Sequence, residues 1–535
     1  MNLIFDIETD DLDATKIWCI VAKQVDGQVY KFGPNQIEDA LDLLHSAKVL
    51  IGHNIIGFDL QILKRLHNFV YRGKVIDTLV MSRLYNPVRE NGHSLKTWGY
   101  RLGIPKQEQP EFNNYTPQML DYCVQDVKLN EAVYKFLQKE GLGFSKQSFD
   151  LEQMTSAIIC EQERNGFYFD SKQAMTLLAE LKQKMADVED EVQKTFKPKW
   201  VDDKQVTPYI KKDGELSKRG LTDEEYVHCM NTQNFQPFMR KKLVDFNLGS
   251  RKQIGEYLVD FGWQPERFTP TGQPIVDDRV HGKVIPNGTI TGRMTHRGPN
   301  MAQVPNIHSP YGEECRACWT VPDGYKLVGI DASGLELRML AHYMNDADYI
   351  EDVVNGDIHT TNQELAGLKT RDQAKTFIYA LVYGAGDAKI GKIINGDMKK
   401  GKALKQRFFA NLPALKTLRD RVQQAANRGF LKGIDGRKIY VRSPHAALNT
   451  LLQGSGAIVM KQAMINLYEL IKLNTYDAKF VANIHDEWQL QVKESQADSV
   501  GRVGVECIEK VTEQFKMRCD LTGEYKIGGN WSETH

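Results

Sequence analysis

Several acidic residues of this 535-residue chain stand where regular structure would gather them. Asp6 and Glu8 close an apolar run that starts at Leu3, and side chains two apart in a strand point to the same side. Asp59 follows Phe58 shortly after Gly52-His53-Asn54, and Asp126 comes four residues after Tyr122, a spacing at which a helix stacks the hydroxyl over the carboxylate. Like charges about 4 Å apart repel by roughly 4 kcal/mol even at an effective dielectric of 20, so four converging acids need divalent cations among them. Two hard cations bridged by carboxylates can hydrolyse a phosphodiester: one activates water, the other stabilises the leaving oxygen. A lone Asp-x-Glu is ordinarily a solvated strand edge. The ordered conjunction over one domain-sized stretch carries the reading.

A second group lies in the C-terminal half. Asp331-Ala332-Ser333-Gly334-Leu335-Glu336 follows the apolar run Leu327 to Ile330, which places Asp331 at the exposed end of a buried strand. Much later, His485-Asp486-Glu487 interrupts another apolar strand, which polar residues rarely do without a reason. Two strands ending in acids suggest a second metal pair, although an acidic hairpin turn would account for Asp486-Glu487 alone. Between them, Arg371, Lys375 and Tyr379 fall at i, i+4 and i+8 of a helical pattern and line one stripe. Two cations and a ring on one face would hold a polyphosphate and stack on a base.

These groups need domains to position them. The first 140 or so residues alternate short apolar runs with longer helical patterns, which is the signature of an α/β domain, and Gly141-Leu142-Gly143 marks a boundary. Residues 171–196 have helical spacing after an Asp170-Ser171 cap, giving a long amphipathic helix. Residues 197–250 are polar and turn-rich, the pattern of a mobile or partner-dependent segment. After residue 325 the pattern runs strand, helices, then a late hairpin around Val481 to Leu490, so acids distant in sequence can meet on one sheet.

Composition narrows the class further. The 69 Lys and Arg balance 69 Asp and Glu, which argues against a protein that coats nucleic acid by bulk attraction and leaves room for a local basic groove. Residues 191–300 tilt weakly positive, with eighteen basic against fourteen acidic residues. No apolar run reaches the roughly 18 to 20 residues of a membrane span, and Met1 to Phe5 has no basic leader, so a soluble, unsecreted protein is expected. Eight scattered cysteines suit reduced thiols, and the lone Cys315-Arg316-Ala317-Cys318 has no second pair to make a metal site.

On these residues the N-terminal segments resemble the three motifs of DEDD-superfamily exonucleases, tyrosine subclass. The resemblance implies a ribonuclease-H-like fold cutting 3′ to 5′, with Asp6, Glu8, Asp59 and Asp126 holding metals and Tyr122 orienting the attacking water. The C-terminal half resembles family A (DNA polymerase I type) polymerases: Asp331 to Glu336 is similar to motif A, Arg371 to Gly384 to motif B, and His485-Asp486-Glu487 to motif C. The strings Asp357-Ile358-His359-Thr360, Tyr383-Gly384-Ala385-Gly386 and Arg442 to Thr450 resemble the T-seven-type, short-tailed bacteriophage branch.

By that resemblance Asp331, the Ala332 carbonyl and Asp486 would hold two Mg²⁺, with two more at the nuclease site and Mn²⁺ as a substitute. Arg371, Lys375 and His359 would neutralise the incoming deoxynucleoside triphosphate; Tyr379, with Glu336, would exclude a ribose 2′-hydroxyl. Tyr383 would stand beside the template base, and Arg293, Asn449 and Gln453 would reach minor-groove acceptors of primer-template DNA. Glu487 would face away from the metals, as an adjacent residue on a strand does.

The expected architecture is α/β and α+β multidomain: a ribonuclease-H-like exonuclease over residues 1–147; a linker helix and thumb over 148–290; and a right-hand polymerase with palm over 291–345, fingers over 346–434 and palm again over 435–535. Where the branch has a long helical thumb connection, after Thr269-Pro270-Thr271-Gly272, only Gln273 to Val280 are present here, which implies a shortened or deleted thumb. Residues 197–250 occupy the position of a loop that binds host thioredoxin for processivity. A processivity factor, with thioredoxin the candidate, and a phage helicase-primase are the partners implied, acting in the cytoplasm of an infected bacterial host. The expected function is template-directed DNA synthesis with proofreading for phage genome replication. The competing readings are an exonuclease with a noncatalytic DNA-binding half, and a single-subunit RNA polymerase, which Glu336 beside Tyr379 argues against.

Overall fold

A computed structural model of the chain describes residues 1–108, 111–195, 199–211, 214–244 and 279–534. The chain forms two compact units, Met1–Asp170 with Gly272–His535, and Ser171–Thr271.

The N-terminal part of the first unit is built on a five-stranded sheet, in the order Val29–Phe32, Ile17–Gln24, Asn2–Thr9, Val49–Gly52, Lys74–Asp77. The first three strands pair antiparallel and the last two run parallel to Asn2–Thr9. Alternation along Asn2–Thr9 sends Leu3, Phe5 and Ile7 into a core with the helix Ile37–Ser46, and Ile4 into another with the helix Pro117–Glu140. A strand buried on both faces explains the unbroken apolar run before Asp6, since each such side chain contributes about 1.5–3 kcal/mol on burial.

The C-terminal part carries a four-stranded antiparallel sheet in the order Ala478–Ile484, Glu487–Lys493, Tyr325–Ala332, Gly523–Gly528. The 27-residue helix Ala447–Leu473 is buried along most of its length, including at Gly454 and Gly456, which matches its weak amphipathicity. Asp331 therefore lies on the strand next to Glu487–Lys493, and Asp486 in the hairpin turn that leads into it.

The helix Lys146–Asn165 packs on the helix Thr78–Tyr85 and strand Lys74–Asp77 on one side and on Ala447–Leu473 and Ala478–Ile484 on the other. Residue 147 thus lies in its first turn, and the second compact unit spans Ser171–Thr271. Within that second unit the helix Ser171–Thr195 forms as its spacing predicts. Residues 199–244, expected to lack regular structure, contain an antiparallel pair, Lys199–Val206 with Phe238–Val244, and the helix Asp223–Thr232. The helix starts with a capping box between Thr222 and Glu225, and Arg240 Nε donates to Glu225 Oε1 at 2.6 Å. The strands were hidden because many of their residues are charged or polar and give no period-two apolar signal. Residues 269–278, where a shortened thumb connection was expected, lie outside the described residues.

One buried ionic network joins the two sheets' surroundings. Lys461 Nζ, on Ala447–Leu473, donates to both oxygens of Glu152 on Lys146–Asn165, at 2.7 and 2.9 Å. Arg437 Nη1 reaches the same carboxylate at 2.6 Å while its Nε bonds Asp435 at 2.8 Å. All four groups are buried. Burial alone would raise the Glu152 carboxyl, but Lys461 and Arg437 outweigh it and hold it below its ordinary value. Removing one partner strands a charge in the interior, so Lys461→Met should cost roughly 3–5 kcal/mol in urea unfolding, and adding Glu152→Gln should recover part of that loss. Additive losses in the double variant would mean the groups are not coupled.

Candidate active sites

In the first site, Asp6 and Glu8 leave the same side of their strand, as predicted, and line a cleft of 590 Å³ together with Asp59, Tyr122 and Asp126. Asp59 opens the helix Asp59–His67 and its Oδ1 accepts the Ile7 N–H at 3.2 Å, tying it to the strand between the two acids. The loop before it is fixed by buried Asp77, whose carboxylate accepts the N–H groups of Asn54 and Ile56 at 2.9 and 3.1 Å. Gly52 is obligatory there, because a Cβ would stand 1.7 Å from Ile55 Cγ2. Tyr122 and Asp126 lie one turn apart on Pro117–Glu140.

Crowding four acids out of water makes ionisation costly. Burial, then Asp59, Glu8 and Asp126, raise Asp6 well above the carboxylate range. Burial pushes Glu8 up to about 8 and Asp59 up to about 7, and burial also raises Asp126. Two residues not anticipated from the sequence sit here. The Lys106 ammonium pairs with Asp126 and lies 4.7 Å from the Tyr122 ring centre. The Cys123 thiol donates to the Asp6 carbonyl at 3.4 Å, and its sulfur lies within 4.8 Å of ligand oxygens of Asp6 and Glu8. Lys106 comes from a loop with no periodic signal, so nothing in the sequence places it. Cys123 could have been inferred, since it neighbours Tyr122 on the helix. One oxygen of Asp126, Oδ1, is buried with no hydrogen-bond partner, and the donor set is mostly hard carboxylate oxygen; both features fit divalent cations.

In the second site, register puts Asp331 opposite Glu487, and the Ala332 N–H donates to the Asp486 carbonyl at 3.1 Å. Asp331 near the end of one strand thus meets Asp486 in the turn before its neighbour, while Glu487 is buried and accepts from Trp531 Nε1 at 2.8 Å. His485 holds the turn with φ of 60°. Arg371, Lys375 and Tyr379 share one face of the helix Arg371–Val382, as their spacing predicts, and the His359 ring meets Tyr379 at 6.2 Å between centroids. Arg371 is held by a fork of two bonds to Asp357, at 2.7 and 3.0 Å, and Asp357 also takes the His359 N–H at 3.2 Å. The bond from Arg371, then one from Thr360, keep Asp357 below the usual carboxylate range.

The hydroxyl that reaches Glu336 belongs to Tyr383, one turn beyond Tyr379, at 2.8 Å to each carboxylate oxygen; Arg293 Nη2 adds a bond at 3.1 Å. Burial, then Glu336, push the Tyr383 phenol up to about 12. Asn449 and Gln453 lie one turn apart on Ala447–Leu473, and Asn449 Oδ1 is buried without a partner.

The raised carboxyls of the first site carry a pH signature. A group whose folded value exceeds its unfolded one keeps its proton while the unfolded chain loses it, so its contribution to stability falls as pH rises through that window. With divalent cations chelated, Glu8→Gln should become progressively more stable than the parent from about pH 4.5 to about 8. A pH-independent difference in thermal unfolding would contradict the burial of that charge.

Comparison with known proteins fits this geometry. The model of DNA polymerase family A matches residues 270–533. The DNA-directed DNA polymerases of Enterobacteria phage T3 and Escherichia phage T7 are 32% and 31% identical, with 100% of each chain covered. Those alignments run to 704 positions against 535 residues here, so the two relatives hold segments with no counterpart in this chain. The POL domain of Pol1 from M. smegmatis, solved in complex with DNA primer-template and dNTP, superposes with a TM-score of 0.76 at 18% identity, covering 99% of this chain and 96% of that one, and so shares the fold. The match to the family model and sequence identity sustained over the whole length make this chain a member of DNA polymerase family A.

Proposed function

We infer that the chain copies a primed template at the pocket of Asp331 and Asp486 and removes nucleotides 3′ to 5′ at the pocket of Asp6, Glu8, Asp59 and Asp126, serving phage genome replication in the cytoplasm of a bacterial host. Template-directed DNA synthesis is the activity of the family, and the two carboxylate pockets would divide copying from trimming between them. The observation that carries it is that Asp6, Glu8, Asp59 and Asp126 line one cleft with Tyr122 and Lys106, while Asp331 lies in register with Glu487, and Asp486, in the turn before it, accepts the Ala332 N–H.

Two Mg²⁺ at each pocket, or Mn²⁺ in their place, would activate the attacking oxygen and stabilise the leaving one. At the synthetic pocket, Asp331, Asp486 and the Ala332 carbonyl would hold them. Arg371, Lys375 and His359 would take the triphosphate, for which Arg371 must exchange Asp357 for a phosphate oxygen. Tyr379 would stack near the sugar, and Glu336 would occupy the space of a ribose 2′-hydroxyl. Tyr383 would stand beside the template base, with Arg293, Asn449 and Gln453 on minor-groove acceptors. At the nuclease pocket Tyr122 would orient the attacking water. The exonuclease would span residues 1–147, the linker and thumb 148–290, the palm 291–345 and 435–535, and the fingers 346–434. A processivity factor, host thioredoxin being the candidate, and a helicase-primase complete the expected assembly.

The two activities should separate by mutation. Asp331→Ala or Asp486→Ala should reduce primer extension by on the order of 10³-fold or more and leave degradation of single-stranded DNA intact, whereas Asp6→Ala or Glu8→Ala should do the reverse. Primer extension by Asp331→Ala at the parental rate would overturn the assignment of the synthetic pocket. Nucleolysis by Asp6→Ala at the parental rate would overturn that of the nuclease.

A further inference from the structure

The pocket of Asp6 and Glu8 holds one ligand that a pair of hard cations does not call for. Cys123 follows Tyr122 on the helix Pro117–Glu140 and is fully buried. Its sulfur lies 3.8 Å from Asp6 Oδ2, and ligand atoms of Asp6, Glu8 and Cys123 all fall within 4.8 Å of one another. Among the described residues no other three His, Cys, Asp or Glu side chains are gathered so closely. The thiol has one proton for two acceptors, the Asp6 carbonyl at 3.4 Å and the more distant carboxylate oxygen, so a hydrogen bond to the first leaves the second facing sulfur lone pairs.

That spacing is one a metal would set. Bonds of about 2.3 Å to sulfur and about 2.1 Å to oxygen, at a tetrahedral angle, hold the two ligand atoms about 3.6 Å apart. An independent feature points the same way. Asp126, less than one turn further along the helix and only 3% exposed, lines the same cleft; one of its oxygens pairs with Lys106 and the other, Oδ1, has no hydrogen-bond partner. A buried carboxylate oxygen without a donor keeps a lone pair for a cation. The two carboxylate pockets then differ in kind. The residues read above as metal ligands at the synthetic pocket offer oxygen alone, whereas the floor of this one adds sulfur, which favours softer ions such as Zn²⁺ and Cd²⁺.

We propose that Asp6, Glu8 and Cys123 form a position selective for thiophilic divalent cations of the zinc class, bound through the Cys123 sulfur. The proposal rests on the reading of this pocket as a divalent-cation site and adds to it a ligand and a choice of ion. On binding, the S–H bond breaks, a metal–sulfur bond forms and the proton passes to solvent, with no change of oxidation state.

The test uses the full chain, freed of metal by chelation and kept reduced with a phosphine, and Co²⁺ as a spectroscopic substitute for Zn²⁺. Cobalt at this position should give thiolate-to-metal charge-transfer absorption in the near ultraviolet, which Zn²⁺ displaces and Mg²⁺ does not. Cys123→Ser should lose that band and weaken Zn²⁺ binding by about tenfold or more, the loss that even an outer-shell partner brings, while binding Mn²⁺ as the parent does by electron paramagnetic resonance. Glu8→Gln keeps the cysteine and should weaken the band too, so the result does not hang on how one variant folds. Cys315 and Cys318, the other closely spaced thiols, are common to all these proteins and cancel in the difference. Equal charge-transfer intensity in the parent and Cys123→Ser would overturn the proposal, as would a band untouched by Glu8→Gln. Mn²⁺ binding that Glu8→Gln removes, in a parent without the thiolate band, sinks the thiophilic position alone. If Glu8→Gln alters the binding of no metal, the reading of the pocket as a cation site falls with it.

Discussion

A carboxylate withdrawn from water is held against a cost of several kilocalories per mole unless something meets its charge, and this chain answers that constraint in three ways. At Glu152 the answer is permanent: Lys461 and Arg437 close on it from another helix and from the turn between two short strands. At Asp6, Glu8, Asp59 and Asp126 it is provisional, with raised proton affinities and one lysine standing where stronger cations fit. At Asp331 and Asp486 the strand ends leave both acids partly exposed, so water shares the load. Only in the second and third arrangements can the compensating charge be exchanged.

The same logic orders the cations. Arg371 spends its fork on Asp357, a partly exposed group that a triphosphate with more charge can displace, whereas Arg437 and Lys461 are fully enclosed and stay where they are. Asp357 also receives the His359 N–H and so aligns two of the groups read as phosphate ligands before any phosphate arrives. Glu336 similarly gathers Tyr383 and Arg293, which come from different segments, around one carboxylate.

Much of this was legible because it is local. The strand carrying Asp6 and Glu8, the helix turn from Tyr122 to Asp126, the stripe of Arg371, Lys375 and Tyr379, and the late hairpin all follow from periods of two and 3.6. What stayed hidden depends on contacts between distant segments. Lys106 reaches the acids from a loop, and its identity as their partner exists only once helix and strand have packed. Glu152 and Lys461 are separated by 309 residues, and each alone reads as an ordinary surface charge. Likewise, Glu336 takes the hydroxyl of Tyr383 rather than that of Tyr379, a choice of one helical turn that spacing cannot make. The strands of residues 199–244 were missed for a different reason, since their sequences are rich in charge and carry no alternating apolar pattern.

The helix Lys146–Asn165 serves two masters at once. Gln153 exchanges hydrogen bonds with the backbone of Asp77, the residue that shapes the loop ahead of Asp59, and one position earlier on the same helix Glu152 anchors the opposite half. A wedge driven between the halves, whether by solvent, denaturant or a cut in the gene, would therefore bare an acid and a base on one side while loosening the loop ahead of Asp59 on the other. One helix is thus a keystone for both sheets, and a change on either of its faces is felt on the other.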